Sequence, residues 1–567
     1  MSEPITSAPG LTTRRVMGIE TEFGVLAADA SGRGGGASGA IALSHLAVGA
    51  YALLDPAEGP RGHRVRWDYG DESPLRDARG FELERAAAHP SQLTHEVHDA
   101  HVPAPPDLPS VDLDQPLLAP EVPPEGDDAS VLAWANRRAI GNAVLTNGAR
   151  LYVDHAHPEY SAPEVTTARE VVVWDRAGEI VAARAMGILA QADGVPDVVL
   201  YKNNSDGKGA SYGTHENYLL SREVPFEQVV SALLPFFASR QILVGAGRLG
   251  RGVRGQESGF QISSRADFFE QEVGLETTLN RPIVNTRDEP HADSARYRRL
   301  HVIIGDANLL EVSTFLKTGM TSLVLGALEA GHASGQGLLP QIDLADPVEA
   351  LRAFSHDPSL QAAALLKGGG RITALEIQRA YLEAVAAHAD RSDQETDQVV
   401  RLWGELLDQL STDVMGAADR VEWVAKYSLL ERYRRRGGLA WDDARLAAID
   451  LQFSDLRPGK GLFAKLRAAG QVRTLVDESD VQRAVTTPPA TTRAHLRGRL
   501  ISEHRAAVTS AGWDAITLSD GEGHASRMRL ADPTVGSRDW CAAHSVDPSA
   551  PVPEVLAALA AADRHTL

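Results

Sequence analysis

The chain has 567 residues, a formal net charge of −20 and a single cysteine, Cys541. Its length suits one large domain with an appendage, or two domains, and 43% apolar residues suffice for a sizeable core. The charge argues against generic nucleic-acid binding, the lone cysteine against a disulfide framework, and the lack of a long apolar run or signal-peptide pattern against membrane insertion or export, so a cytoplasmic protein is expected.

Residues 1–13 read as a disordered lead-in. A strand follows at MGIETEFG, 17–24. Period two puts Glu20 and Glu22 on one face, Ile19 and Phe23 on the other. Two carboxylates on one side of a half-buried strand repel, so one is neutralised or a cation sits between them. The alternative is an edge strand whose glutamates face water. Mg²⁺, which binds through one or two carboxylates and phosphate oxygens, suits the first reading. Residues 30–40, rich in Gly and Ser, read as a flexible loop. Residues 102–130, crowded with prolines and acids, read as an extended insertion. The stretch 60–138 as a whole reads as a lid-like excursion.

The most informative run is RLYVDHAHPEYSAPE, 150–164. Alternation puts Arg150, Tyr152 and Asp154 on one pleat face, with Leu151 and Val153 behind. Such a front lines a polar cavity. Pro158 and Pro163 are expected to stop the strand, leaving His155, His157 and Glu159 at its rim. A Gly- and Asn-rich loop at 201–217 runs into His215. Polar residues at 285–291 gather around Arg287, and 298–308 reads as a buried strand with Arg299 and His301 on one face. Two strand-borne histidines and two acidic strands read together as a divalent-metal and phosphate site.

Residues 145–314 read as a strand-rich, curved antiparallel sheet. Helical spacing at 321–331, 347–355, 374–387, 396–410 and 416–434 supplies a covering layer. After PPATT, 488–492, the chain is expected to enter a small α/β module. GAGRLG, 245–250, fits a dinucleotide fingerprint, but further glycines follow it, so a turn between strands is expected.

These motifs resemble the family of Pup ligases and Pup deamidases/depupylases, in the carboxylate-amine ligase group related to glutamine synthetase. The resemblance is carried by 18–24, WDY…SPLRDARG (67–80), LTNGARLYVD (145–154), 201–220, GLETT (274–278), 285–291 and 296–308, which cover most of the chain. The first strand looks more like the ligase (PafA) branch. The 67–80 segment and His155-Ala-His157 look like the depupylase (Dop) branch and lie nearer the chemistry.

The resemblance implies an α+β, glutamine-synthetase-like curved antiparallel cradle covered by helices over 14–488, with the 60–138 insertion and a small C-terminal domain at 489–567. It implies metal ligation by Glu20, Glu22, Tyr152, Glu159, His215 and His301, and ATP contacts from Arg150 and Trp513. Arg265 and Arg287 would meet phosphates or the terminal carboxylates of Pup. Asp154 would be the catalytic aspartate, as nucleophile or as base. The implied activity is hydrolysis of the isopeptide bond between the C-terminal Glu of Pup and a substrate lysine, and deamidation of a C-terminal Gln. Mg²⁺ and ATP are the implied cofactors, pupylated proteins the partners, and the bacterial proteasome the functional link. An ATP-dependent Pup ligase and a non-catalytic Pup-binding protein are the alternatives. An acidic modifier needs a locally basic groove, for which Arg240, Arg248, Arg251 and Arg254, or residues 296–299, are candidates.

Overall fold

The computed structural model describes residues 10–27, 37–58, 65–70, 72–84, 130, 141–193, 195–207, 209–250, 257–521 and 524–566. The expected insertion over 102–130 lies outside these except for Ser130, as do Arg251 and Arg254 and residues 1–9 of the expected lead-in. The described end of that lead-in is held in place. Leu11 is buried, and the Thr13 hydroxyl donates to Glu395 at 2.9 Å.

Alternating polar and apolar residues build a six-stranded sheet from β1 (Met17–Glu22), β2 (Asn142–Val144), β3 (Arg150–Asp154), β4 (His157–Ser161), β5 (Thr214–Ser221) and β6 (Tyr297–Val302). Its order is β6-β5-β1-β4-β3-β2, and every neighbouring pair is antiparallel. One face carries Ile19, Leu151, Tyr160, Tyr218 and Leu300, all within the main core. Four helices cover that apolar side: α1 (Ala37–Leu54), α2 (Ala168–Leu189), α3 (Phe226–Val244) and α4 (Glu311–Ser334). Helix α1 packs on β3 and β4, α2 on β1, and α4 on β5, with α3 against α4. The fit is close at Gly178 of α2, where a Cβ would stand 2.5 Å from the Tyr160 ring.

The other expected helices are present as Pro347–Ser355, Ala374–Ala386, Gln394–Thr412 and Glu422–Gly437. Four elements differ from expectation. Helices α2 and α3 interrupt the stretch read as strand-rich. Helix α3 is buried on every side from Pro235 to Val244, and a stretch buried all round shows little 3.6-residue contrast. Helix α1 begins at Ala37, inside the expected loop; a run rich in alanine, the best helix former, continues it. Pro158 does not end the chain's path through the sheet. It lies inside β4, where its carbonyl accepts from the Phe23 N–H at 2.8 Å.

A second apolar cluster forms around Leu496, Leu500, Ile516, Leu518 and Val555. It contains α5 (Ala494–His504) and a sheet of β7 (Val508–Ala511), β8 (Ala515–Ser519) and β9 (Ala525–Arg529). The short strand Arg66–Trp67 joins this sheet, parallel to β7. A segment from near the N-terminus is thus woven into the C-terminal part.

Candidate functional site

The register of the six strands decides which polar groups meet. Glu20 stands opposite Ser161 on one side and His215 on the other, while Glu22 faces Glu159. Glu159 in turn faces Tyr152, and Asp154 faces His157. Gly18 and His301 both lie opposite Asn217. Because every strand alternates, this one register collects Glu20, Glu22, Tyr152, Asp154, Glu159, His215 and His301 on the sheet face away from the helices.

Two groups of donors form there. Glu20, His215 and His301 offer ligand atoms within 4.8 Å of one another, and so do Glu22, Asp154 and Glu159. In the first group, His215 Nδ1 lies 3.3 Å from Glu20 Oε2, and the Asn217 amide donates to Glu20 Oε1 at 3.0 Å. Burial pushes Glu20 up, but His215 and Arg299 hold it below the ordinary carboxylate range. His301 is held neutral by burial and by the nearby Arg299 and His215, so its imidazole has a lone pair to give. Its Nδ1 contacts Asn217 Oδ1 at 2.9 Å.

In the second group, Glu159 is 1% exposed rather than at the rim, because β4 continues through it. Burial drives its carboxyl well up, and Asp154, Glu20 and Glu22 push it further. Its Oε1 has no hydrogen-bond partner among the described residues. Leaving a buried charge uncompensated costs several kcal/mol in general, so Glu159 either stays protonated or faces a cation. A cation bridging Glu22, Asp154 and Glu159 would satisfy the orphaned oxygen and let all three ionise. The donor chemistry therefore fits metal: an all-oxygen set for a hard ion such as Mg²⁺, and a mixed oxygen–imidazole set beside it.

Asp154 ends β3 at a tight hairpin. His155, at the turn with φ 52, brings Nδ1 to 2.9 Å from Asp154 Oδ2. That hydrogen bond and the carboxylate charge raise His155 to about 9. A cationic imidazole therefore stands against the aspartate at neutral pH. His157, lowered by burial, stacks on Tyr212 with ring centroids 4.1 Å apart.

Arg150 is boxed in on the same face. Its guanidinium lies 3.9 Å from the Tyr152 ring centroid and 4.2 Å from that of Trp67, and it donates to Asn142 Oδ1 and the Tyr69 hydroxyl. Trp67 meets Trp513 edge-on at 5.0 Å. Next to Glu20 a cleft opens between sheet and C-terminal part. Glu20, Asn217, His291 and Arg299 line it from one side, Arg493 and Trp513 from the other.

Four other arginines named from the sequence do not line this cleft. Arg265 is 1% exposed and donates to the carbonyls of Ile303 and Gly305 and to the Ser211 hydroxyl, so it braces the loop under Glu22. Arg240, a groove candidate, is buried in an ion pair with Glu216 on the core side of β5. Arg248 is largely buried beside Asp267 at 3.5 Å. Arg287 is half-buried and bridged through its backbone to Asp77, and its Nε lacks a partner among the described residues. Sequence reasoning omitted Asn217, His291 and Arg493 from the site. Period two from His215 reaches Asn217 directly; His291 and Arg493 come from turns that carry no such signal.

A family profile described as Pup-ligase protein matches residues 15–517. The chain is 45% identical over 530 residues to the depupylase of Acidothermus cellulolyticus, covering 92% of this chain and 95% of that protein. It is 44% identical over 549 residues to the Pup deamidase/depupylase of Mycobacterium tuberculosis, covering 96% and 99%. Among solved structures it resembles the complex between the prokaryotic ubiquitin-like protein Pup and its ligase PafA, with a TM-score of 0.70, 29% identity, and 98% and 93% of the two chains covered. It also resembles PafA in complex with ADP, with a TM-score of 0.65, 32% identity, and 82% and 99% covered.

Proposed function

The chain belongs to the Pup-ligase protein family, and within it we propose a depupylase and Pup deamidase that hydrolyses the side-chain amide of the C-terminal residue of Pup. The observation that carries this reading is near-full-length identity to proteins named for that activity, joined to an intact Asp154 among paired carboxylates. One bond breaks in either reaction. The γ-carbonyl of the modifier's last residue loses lysine or ammonia and gains the hydroxyl of water.

Asp154 carries the attack. It adds to the γ-carbonyl to form an anhydride that water then opens, or it takes a proton from the attacking water. His155 holds the Asp154 carboxylate in place through its 2.9 Å contact. Glu20, His215 and His301, with Glu22, Glu159 and Tyr152, would hold Mg²⁺. A metal there would polarise the amide carbonyl and stabilise charge on its oxygen. The cleft lined by Trp513, Arg493 and Arg299 would take ATP, a reading supported by the ADP bound to the PafA neighbour. Arg150, stacked between Tyr152 and Trp67, would meet its phosphates, and Arg287 those phosphates or a substrate carboxylate. Arg265 acts indirectly, through the loop it braces. Amide hydrolysis is downhill, so ATP serves as a bound cofactor and is not consumed.

Replacing Asp154 with Asn tests the assignment. Ammonia release from Pup ending in glutamine should fall by at least about a hundredfold while Pup binding persists; an active variant would remove Asp154 from the mechanism. Hydroxylamine trapping of an acyl-enzyme on the wild type separates the nucleophile from the base.

A further inference from the structure

The cleft beside Glu20 is a seam. One wall belongs to the six-stranded sheet, the other to the C-terminal cluster, and largely buried charged groups, of which Glu164 and Arg493 themselves line the cleft, tie the two together. Glu164, four residues beyond Tyr160 of β4, faces two arginines at the start of α5. Its Oε1 accepts from Arg493 Nε at 2.7 Å and from Arg497 Nη1 at 3.2 Å, and its Oε2 accepts from Arg497 Nη2. Its backbone carbonyl accepts from the Thr492 hydroxyl at 2.6 Å. The side chains are 11%, 5% and 1% exposed for Glu164, Arg493 and Arg497. Neither arginine stops at the carboxylate. Arg497 donates onward to the carbonyl of Trp513 at 2.9 Å and lies 5.2 Å from its ring centroid. Arg493 donates to the carbonyl of Leu530 at 2.7 Å.

We propose that Glu164 is a positioning residue for the nucleotide, holding Trp513 and Arg493 against the sheet so that the cleft has two walls. The inference rests on the reading of that cleft as the ATP site. The chain of contacts runs from the sheet through one carboxylate to two guanidiniums, and from those to the indole and the cation that face Glu20 and Arg299. Burial works against ionisation of Glu164, but Arg497 and Arg493 hold it at about 2, so the clamp stays charged wherever the protein is folded. Without the carboxylate, two buried guanidiniums face each other uncompensated and the C-terminal wall is driven off the sheet. Asp154 and the two metal-donor groups lie outside this chain of contacts. The loss should therefore fall on nucleotide affinity rather than on chemistry.

The test uses full-length Glu164→Gln, checked for folding by circular dichroism and a thermal melt, with depupylation measured across ATP concentrations. The apparent KM for ATP should rise by roughly tenfold or more, while kcat at saturating ATP falls by less than about threefold. Arg497→Lys keeps the charge but loses the two-pronged geometry, and should shift KM in the same direction by less. A folded Glu164→Gln whose KM for ATP stays within about twofold of wild type, or whose loss is all in kcat, overturns the proposal. If Glu164→Gln does not fold, Arg497→Lys decides in the same way. A wild type that binds no ATP would instead overturn the reading of the cleft itself.

Discussion

Glu159 illustrates how much of the site is set by a single atom. A carboxylate that is 1% exposed, with one oxygen unpartnered and three acids around it, is tolerable only when protonated or metal-bound. Glu159→Gln should therefore lower the affinity of the all-oxygen site for Mg²⁺ by roughly ten- to a hundredfold, read by metal titration of activity, and leave the melting temperature of the metal-free protein unchanged or higher. A lower melting temperature without metal would mean that the acid is structural. Glu164 behaves oppositely. Its carboxyl is depressed from an ordinary 4.5 to about 2, so its contribution to stability is full above 4.5 and is lost as pH falls towards 2. The difference in melting temperature between wild type and Glu164→Gln should hold level from neutral pH to about 4.5 and shrink below it as pH falls towards 2. A constant difference would mean that the clamp is not electrostatic.

At the level of elements, helix α2 is seated by a contact that tolerates no side chain. A Cβ at Gly178 would stand 2.5 Å from the Tyr160 ring, and Tyr160 lies between Glu159 and Ser161 in β4. Gly178→Ala should cost about 1–3 kcal/mol in urea unfolding, and the displaced strand should weaken metal binding with it. An unchanged midpoint would show that the helix can shift freely. Much of the sheet was legible in the sequence. Strict alternation in MGIETEFG and RLYVD fixed which acids share a face, and the covering helices after 311 followed from their apolar spacing. Helix α2 was missed within a stretch read as strand-rich, although the Thr167 side chain caps the Glu170 N–H, and Thr-x-x-Glu is a signal that could have found it. Helix α3 was missed as well, because its second half is buried all round and shows little contrast between faces. The place of Glu159 was hidden by Pro158, which reads as a strand breaker yet sits at a position where its missing N–H is not needed.

At the scale of the whole molecule, two apolar clusters meet at one functional seam, with the Trp67 segment threaded through the smaller one. The site residues come from five strands and from the C-terminal part, and no local stretch of sequence could place Arg493 or His291 beside Glu20. That juxtaposition exists only once the register is fixed. The chain's overall acidity makes the location of a basic docking groove equally non-local, and burial of Arg240 against Glu216 removes one candidate that the sequence offered.

The most direct test of the account uses the purified protein with a Pup–lysine conjugate and with Pup ending in glutamine, each in the presence of Mg²⁺ and ATP. Release of the unmodified protein and of ammonia, with ADP far below stoichiometric, is the predicted result. ADP accumulating in step with new conjugate from Pup ending in glutamate would contradict the account and make this chain a ligase.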